Sequence, residues 1–182
     1  MKDIIMKVAA DKIQAHGLRK FTMDEIAGEL RISKKTIYKY FKNKDDIIIE
    51  YFNEIIETDK KNMLEAIENE CSLTDKLNSI IYSYHKYRLP ASVLDEAYKF
   101  YHDQWNEIQS LRDYKLNLVE MVLKQGMESG ILKNDIQLNI VTSILESISN
   151  TFLDYEFLSR NDMTMKNAME QVMKILLYGI VK

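Results

Sequence analysis

The sequence predicts an all-α protein of about nine helices, and three observations lead to this prediction. Helix-breaking residues are scarce, because the 182 residues include only five Gly and one Pro. Apolar side chains recur at three- and four-residue steps, and no segment shows the alternation of a half-buried strand. Apolar residues make up 46 % of the chain and charged residues 29 %, which is typical of a folded protein rather than a disordered one.

The first two helices are predicted from the residues at their ends. A helix over about residues 3–16 carries apolar residues at helical spacing and ends at Gly17. Thr22 and Glu25 then have the spacing of a capping box, in which the hydroxyl accepts from the N3 amide and the carboxylate accepts from the cap amide. The helix that begins there is short and ends near Leu30.

The third helix lies in the stretch SKKTIYKYFKNKDDI, residues 33–47, where lysines and aromatic rings are interleaved. Ser33 caps it after a tight turn, so the second and third helices form a helix-turn-helix unit with the third offered outward. The apolar residues expected to pack the three helices together are Ile26, Leu30, Ile32, Ile37 and Phe41. The residues expected to point away from that core are Lys34, Lys35, Tyr38 and Lys39. Such rings and ammonium groups suit the base edges and phosphates of a DNA major groove, and a face that docks a protein is the alternative.

Six further helices are predicted beyond the third. The start signals of the first four are Asn43, Ser72, Pro90 and Ser110. The helix after Pro90 is expected to continue through Trp105 and Ile108, and Gly130 ends the helix that begins at Ser110. Two more helices, over about residues 135–159 and 163–181, complete the chain.

Charge is divided unevenly along the chain. Residues 1–44 contain eleven basic and five acidic side chains, a net charge of +6, whereas the remaining residues carry a net charge of −9. A solvated basic face explains such an asymmetry, and a positive head on a negative body also directs a polyanion to one end.

The sequence also indicates the cellular compartment of the protein. Cys71 is the only cysteine, which excludes an internal disulfide and fits a reducing compartment. The segment MKDIIMKVAADK lacks the uninterrupted apolar core of a signal peptide, and no apolar run reaches membrane-spanning length. A cytoplasmic protein without membrane association is therefore expected.

The N-terminal motifs resemble a known family. The order TMDEIA, a turn, TIYKYF and KNKDDI is similar to the N-terminal region of TetR-type transcriptional regulators over residues 5 to about 50. The pattern T-x-Y-x-[HY]-F followed by N-K and an acid is much more specific to that family than a generic helix-turn-helix. The resemblance implies a helix-turn-helix DNA-binding domain over residues 1–45 and a helical ligand-sensing and dimerisation domain over residues 46–182. It further implies a homodimeric repressor that a small-molecule ligand releases from a palindromic double-stranded DNA operator.

The resemblance also implies roles for single residues of the head. Thr22 and Lys44 are expected to contact phosphate, and the aromatic pair Tyr38 and Tyr40 to contact phosphate and base edge or sugar. The full predicted DNA-contacting set is Thr22, Ser33, Lys34, Lys35, Thr36, Tyr38, Lys39, Tyr40 and Lys44. Lys35 departs from the family pattern, because many members have Gly or a small residue there. Arg31 stands where many members have Gly, so Arg31 must adopt a strained or left-handed backbone if the turn is unchanged.

The aromatic and Met residues of the body have two interpretations. They line a pocket for a flat or apolar ligand, or they are plain core. The resemblance favours the pocket, because family members sense small molecules between helices four and eight. The predicted ligand-binding set is Met63, Tyr84, Tyr98, Tyr101, His102, Trp105, Met121 and Phe152. Asp59 interrupts an apolar stripe, and we expect it to be solvent-exposed where that stripe frays, with a counter-charge for a cationic ligand as the alternative.

The last two predicted helices carry apolar stripes accompanied by small residues. One stripe is enough to complete the domain core, whereas two such helices paired with their symmetry copies make a four-helix dimer interface, as the resemblance implies. The predicted interface residues are Val141, Ile144, Leu145, Ile148, Met169, Val172, Met173 and Leu176.

No enzymatic activity is predicted. The sequence contains no nucleophile elbow, phosphate loop, HExxH or CxxC motif. His85 and His102 are expected to be ordinary partly buried histidines rather than metal ligands, so no metal or cofactor is predicted. The alternative to a ligand-responsive regulator is a ligand-free DNA architectural or protein-docking module on the same fold.

Overall fold

The computed structural model describes residues 1–69, 72–81, 87, 89–152 and 155–180. Over these residues the protein is all-helical, which confirms the predicted fold class. The described helices are α1 (Lys2–His16), α2 (Met23–Leu30), α3 (Lys34–Tyr38), α4 (Lys44–Asn69), α5 (Leu73–Ile81), α6 (Ala91–Phe100), α7 (His102–Glu128), α8 (Leu138–Phe152), α9 (Tyr155–Arg160) and α10 (Met165–Ile180).

Two predicted helix boundaries are wrong. The helix after Pro90 does not continue through Trp105, because Tyr101 adopts φ −131° and ψ 64° and ends α6. The next helix therefore begins at His102 rather than at Ser110, and Ser110 lies inside α7. Within the range 135–159 predicted to be one helix, the structure describes α8 and α9, and residues 153 and 154 between them lie outside the described residues.

The chain divides into two compact units. The first comprises Met1–Asp59 with His85–Gln109, and the second comprises Lys60–Tyr84 with Ser110–Lys182. The first unit extends beyond the DNA-binding domain predicted for residues 1–45, because it also contains α6 and the start of α7. That functional boundary stays a prediction.

The core of the first unit is apolar and almost fully closed to solvent. Its N-terminal part is built on Ile5, Ile13, Ile26, Ile37 and Phe41, which are at most 2 % exposed. The buried rings of α4 continue this core: Tyr51 stacks on Tyr87 with ring centroids 5.6 Å apart and meets Phe52 edge-on. Burial of this size supplies the main stabilisation of a small helical domain.

Asp59 is fully buried, so the expectation that it is solvent-exposed is wrong. The apolar face of α4 does not fray at this position, because Ile55 before it and Met63 after it are both 0 % exposed. The Asp59 carboxylate therefore lies in the protein interior, where a charge is energetically costly unless neighbouring groups compensate it.

The second unit has its own apolar clusters. Leu158, Ala168 and Met169 pack together, and partly buried hydrophobic side chains surround them. The partly buried residues of this cluster are Ile81, Ile148, Phe157, Met163 and Val172. α10 contacts both α5 and α8, so the C-terminal helix completes the core of this unit.

Candidate nucleic-acid interface

Two side-chain caps fix where the helices of the candidate interface begin. The Glu25 amide donates to the Thr22 hydroxyl at 3.2 Å, and the Thr22 amide donates to the Glu25 carboxylate at 2.7 Å, as predicted for a capping box. The Thr36 amide donates to the Ser33 hydroxyl at 3.2 Å and caps α3. Each cap satisfies a backbone donor that a helix N-terminus otherwise leaves without an intrahelical partner.

The turn between α2 and α3 has the backbone geometry expected from the sequence. Arg31 lies in the left-handed region with φ 53° and ψ 40°, and its amide donates to the Gly28 carbonyl at 3.2 Å. A left-handed residue is a common way to end a helix, and glycine adopts this conformation at the lowest energetic cost. Arg31 thus adopts the left-handed backbone expected at this position.

α3 presents a basic and aromatic face to solvent while its opposite side is closed. Ile37 is fully buried, whereas Tyr38 is 49 % exposed and Tyr40 is 45 % exposed. Lys35 and Lys39 are exposed beside these rings. We call Lys34, Lys35, Tyr38, Lys39 and Tyr40 the α3 face. Exposed rings next to ammonium groups are typical of a surface that meets an anionic polymer with base edges.

Some predicted contact residues already have partners within the chain. Lys34 forms an ion pair with Asp24 on α2, with Nζ and Oδ1 2.6 Å apart. The hydroxyls of Ser33 and Thr36 are hydrogen-bonded to each other at 3.0 Å. Thr22 is exposed at the start of α2, although its hydroxyl serves the capping box. An anionic ligand would therefore compete with the Lys34–Asp24 pair, which is exposed and contributes little to stability.

Lys44 differs from the lysines of the α3 face because it is partly buried. Its ammonium donates to the Arg19 carbonyl at 2.7 Å and lies 4.4 Å from the centroid of the Phe21 ring. Burial lowers the pKa of Lys44, and the nearby carboxylates of Asp45, Glu96 and Glu25 oppose that shift. Lys44 is thus held at the head of α4 by contacts with the segment between α1 and α2.

The residues predicted to bind a ligand are not brought together in one unit. Tyr98, Tyr101, His102 and Trp105 belong to the first unit, and Tyr98 meets Trp105 edge-on with centroids 5.4 Å apart. Tyr98 is 59 % exposed, so this pair lies at the surface. In the second unit Met63 is fully buried and Met121 is 40 % exposed. Tyr84 and the side chain of Phe152 lie outside the described residues.

The predicted dimer residues fall into two groups. Val141, Leu145, Met169 and Met173 are buried within the chain itself, and Ile148 and Val172 pack against the Leu158 cluster. Ile144 is 39 % exposed and Leu176 is half-buried. Three further apolar residues on α8 and α10 are exposed, namely Ile140, Ile175 and Tyr178.

Sequence reasoning also missed the contact between α6 and the segment between α1 and α2. Glu96 of α6 accepts a hydrogen bond from the Arg19 amide at 3.1 Å, although 77 residues separate them. The Arg19 guanidinium lies 4.3 Å from the centroid of the Phe100 ring. Neither residue carries a local signal that pairs it with the other.

Two negative findings apply to the residues described. Among them, no group of three or more His, Cys, Asp or Glu side chains is arranged to hold a metal ion. No helix in the same part of the chain is long and apolar enough to cross a membrane.

Comparison with known proteins agrees with this geometry. The family model for bacterial regulatory proteins of the tetR family matches residues 5–51, which contain α1 to α3 and the start of α4. The fatty acid metabolism regulator protein of Bacillus subtilis (strain 168) is 26 % identical over 149 residues, covering 78 % of this chain and 75 % of that protein.

Solved structures share the fold over the whole chain. A protein of Saccharomonospora viridis described as a transcriptional regulator, in complex with choline, has a TM-score of 0.78 at 15 % identity and covers 100 % of this chain and 97 % of its own. The transcriptional regulator FadR from Bacillus subtilis, in complex with stearoyl-CoA, has a TM-score of 0.63 at 19 % identity and covers 98 % of this chain and 99 % of its own. Residues 5–51 thus resemble TetR-type DNA-binding regulators in sequence, and the chain shares the fold of these solved structures.

Proposed function

We propose that the protein is a repressor that binds a palindromic DNA operator as a homodimer and leaves it when a small-molecule ligand binds. The observation that supports DNA contact most directly is the α3 face, where exposed lysines and tyrosines surround a helix anchored by the buried Ile37. Side chains on such a helix can reach base edges in the major groove, while neighbouring lysines contact phosphates.

Selection of DNA by the purified protein tests this proposal. A random duplex library should be enriched in one palindromic sequence whose half-sites lie about one helical turn, roughly 34–36 Å, apart.

Lys35→Ala should weaken binding to that sequence about tenfold and change the base preference, and Tyr38→Phe should weaken binding through a lost phosphate contact. Lys61→Ala is the matched control, because Lys61 is an exposed lysine on α4 in the second unit. Enrichment of no sequence, or equal binding by all variants, would contradict the proposal.

The dimer would use the exposed apolar residues of α8 and α10. These helices contact each other, and they expose Ile140, Ile144, Ile175 and Tyr178. Isolated exposed hydrophobics are common on proteins, but four on two adjoining helices support association with a second copy of the same surface. Pairing with the symmetry copy would give a four-helix interface.

A ligand with a long apolar chain is the first to test. The regulator structure from Bacillus subtilis contains stearoyl-CoA, and the Bacillus subtilis relative is a fatty acid metabolism regulator. We therefore propose a long-chain acyl-CoA as the ligand class, with choline as the comparison compound because the Saccharomonospora viridis protein was solved with it. Thermal stabilisation by stearoyl-CoA and not by choline is expected, since a ligand that binds only the folded state raises its melting temperature.

We propose that α4 couples ligand binding to DNA binding. It begins at Lys44 beside the α1–α2 segment and continues to Asn69, so one helix carries residues of both compact units. A ligand shifts such an element only by its differential affinity for two positions of it. By reciprocity, operator DNA should weaken ligand binding by the same factor as the ligand weakens DNA binding. Equal ligand affinity with and without the selected DNA would contradict this coupling.

A further inference from the structure

α6 contacts the loop that joins α1 to α2. Residues 17–22 connect α1 to α2, and we call them the α1–α2 loop. The Glu96 carboxylate lies directly against Gly17, since a Cβ at position 17 would be 2.7 Å from Oε1 and 2.9 Å from Oε2. Gly17 has φ 87° and ψ 175°, a conformation that is essentially restricted to glycine, so the loop approaches α6 in a way that other residues would prevent.

Arg19 of the loop contacts α6 through both its backbone and its side chain. Its amide donates to Glu96 Oε2 at 3.1 Å, and its guanidinium lies 4.3 Å from the centroid of the Phe100 ring on the same helix. A hydrogen bond to a carboxylate and a cation–π contact together fix both the backbone and the side chain of Arg19.

Arg19 is also bound to α4, through its backbone carbonyl. Its carbonyl accepts from the Lys44 ammonium at 2.7 Å, and the Lys44 ammonium also lies 4.4 Å from the centroid of the Phe21 ring at the end of the loop. One loop residue therefore links the carboxylate of α6 to the ammonium of α4. An ammonium has three donors, so Lys44 can keep this bond and still donate to a phosphate.

We propose that Glu96 is a positioning residue for DNA binding, because it holds the α1–α2 loop in the conformation in which the Arg19 carbonyl directs the Lys44 ammonium. This inference rests on the proposed DNA-binding function and extends it to a residue outside the predicted domain of residues 1–45. The position of α6 then sets how well Lys44 meets its phosphate.

Operator binding by Glu96 variants tests this role. With DNA selected by the wild-type protein, Glu96→Ala should weaken binding about tenfold, because the charged acceptor of the Arg19 amide is lost. Glu96→Gln keeps an acceptor oxygen and should stay within about threefold of wild type. Asp95→Ala is the control, since Asp95 is exposed and pairs only with its own helix at Lys99 among the interactions described. A Glu96→Gln variant that loses as much as Glu96→Ala would overturn the hydrogen-bond role.

A double-mutant cycle separates positioning from general loss of structure. In the Lys44→Ala background, Glu96→Ala should have an effect below about twofold, because its route to the DNA is already removed. The slope of log affinity against log salt should fall by about one in Glu96→Ala, and by the same amount in Lys44→Ala. Fully additive effects with an unchanged salt slope would overturn the proposal.

A measurement without DNA keeps this inference distinct from the proposed function. The backbone amide resonance of Arg19 in the free protein should move in Glu96→Ala and stay near its wild-type position in Asp95→Ala. If the wild-type protein selects no DNA sequence, the proposed function fails. If it selects one and Glu96→Ala binds it like wild type, only the positioning role fails.

Discussion

The α3 face and the surface of α8 and α10 both expose large hydrophobic or aromatic side chains, and the two regions differ in the residues that surround these side chains. On the α3 face, Tyr38 and Tyr40 are about half exposed and stand among lysines. On α8 and α10, Ile144 is 39 % exposed and Ile175 is 73 % exposed, and the most exposed aromatic residue there is Tyr178 at 91 %.

The difference indicates two kinds of partner. Rings beside ammonium groups suit a polyanion whose bases and phosphates are contacted together. Aliphatic side chains on adjoining helices suit an apolar surface, and a symmetric dimer presents that surface to itself. The same exposure therefore supports DNA binding in one region and self-association in the other.

The largest expected effect comes from placing charge on the α8 and α10 surface. Ile144→Glu combined with Ile175→Glu should weaken dimerisation about a hundredfold or more, because unpaired charges would be buried at the symmetric interface. Sedimentation equilibrium measures this change, and far-ultraviolet circular dichroism should show that helicity is kept.

Two controls make that comparison sharper. Tyr40→Glu places the same charge on the α3 face and should leave the dimer mass unchanged. Ile148→Glu should instead lower the stability of the fold, because Ile148 packs against the Leu158 cluster of its own chain. A double variant that stays fully dimeric would place the interface elsewhere.

A second prediction concerns the backbone that supports the head. Gly17→Ala should lower the free energy of unfolding by about 2–3 kcal/mol, because φ 87° is strained for alanine and its Cβ would meet the Glu96 carboxylate. Gly28→Ala is the matched control: apart from its chain neighbours and the backbone of α2, no atom lies within 4 Å of its Cβ position, and α2 should gain up to about 1 kcal/mol. Urea denaturation measures both. Equal stability of Gly17→Ala and wild type would mean that the loop relaxes away from α6.

A third, smaller effect concerns two described residues other than glycine that adopt a positive φ, Arg31 and Asp162. Arg31→Gly should raise the free energy of unfolding by about 0.5–1 kcal/mol, because arginine is strained at φ 53°. Asp162→Gly, at φ 48°, should gain less, since aspartate tolerates this conformation better. A loss of stability in Arg31→Gly would show that the arginine side chain contributes more than its backbone costs.

The smallest expected effect is a pKa change at the cap of α2. Hydrogen bonds from the Thr22 amide and then the Thr22 hydroxyl lower the pKa of Glu25 below its ordinary value. The stabilisation from Glu25 is therefore present above that ordinary value and is lost as the pH falls through the folded-state pKa. Thr22→Ala should raise the pKa of Glu25, which an NMR titration of the carboxylate detects. An unchanged pKa would mean that the amide alone carries the shift.

Local signals explain why much of the head could be predicted from sequence. The capping box of Thr22 and Glu25, the cap at Ser33 and the helix end at Gly17 each depend on neighbours within a few residues. The left-handed backbone of Arg31 was instead expected from the family resemblance, because many members have Gly at that position. Short-range hydrogen bonds and sterics determine these features, so residue type and spacing are sufficient.

Features that depend on tertiary packing could not be predicted. The apolar spacing continues past Tyr101, so periodicity alone did not show that α6 ends there. Leu145 and Ile144 are neighbours of similar hydrophobicity, yet one is buried in the chain and the other is exposed. The contact of Glu96 with Arg19 joins residues 77 positions apart. Each outcome depends on which element lies opposite, which local sequence does not encode.

The salt dependence of DNA binding tests the central claim most directly. Affinity for the selected operator should be measured over a range of salt concentrations for wild type and for Lys35→Ala combined with Lys39→Ala. If the α3 face contacts phosphates and bases, the double variant should bind more weakly and its slope of log affinity against log salt should fall by about two per head. An unchanged affinity and slope would contradict the assignment of this face to DNA.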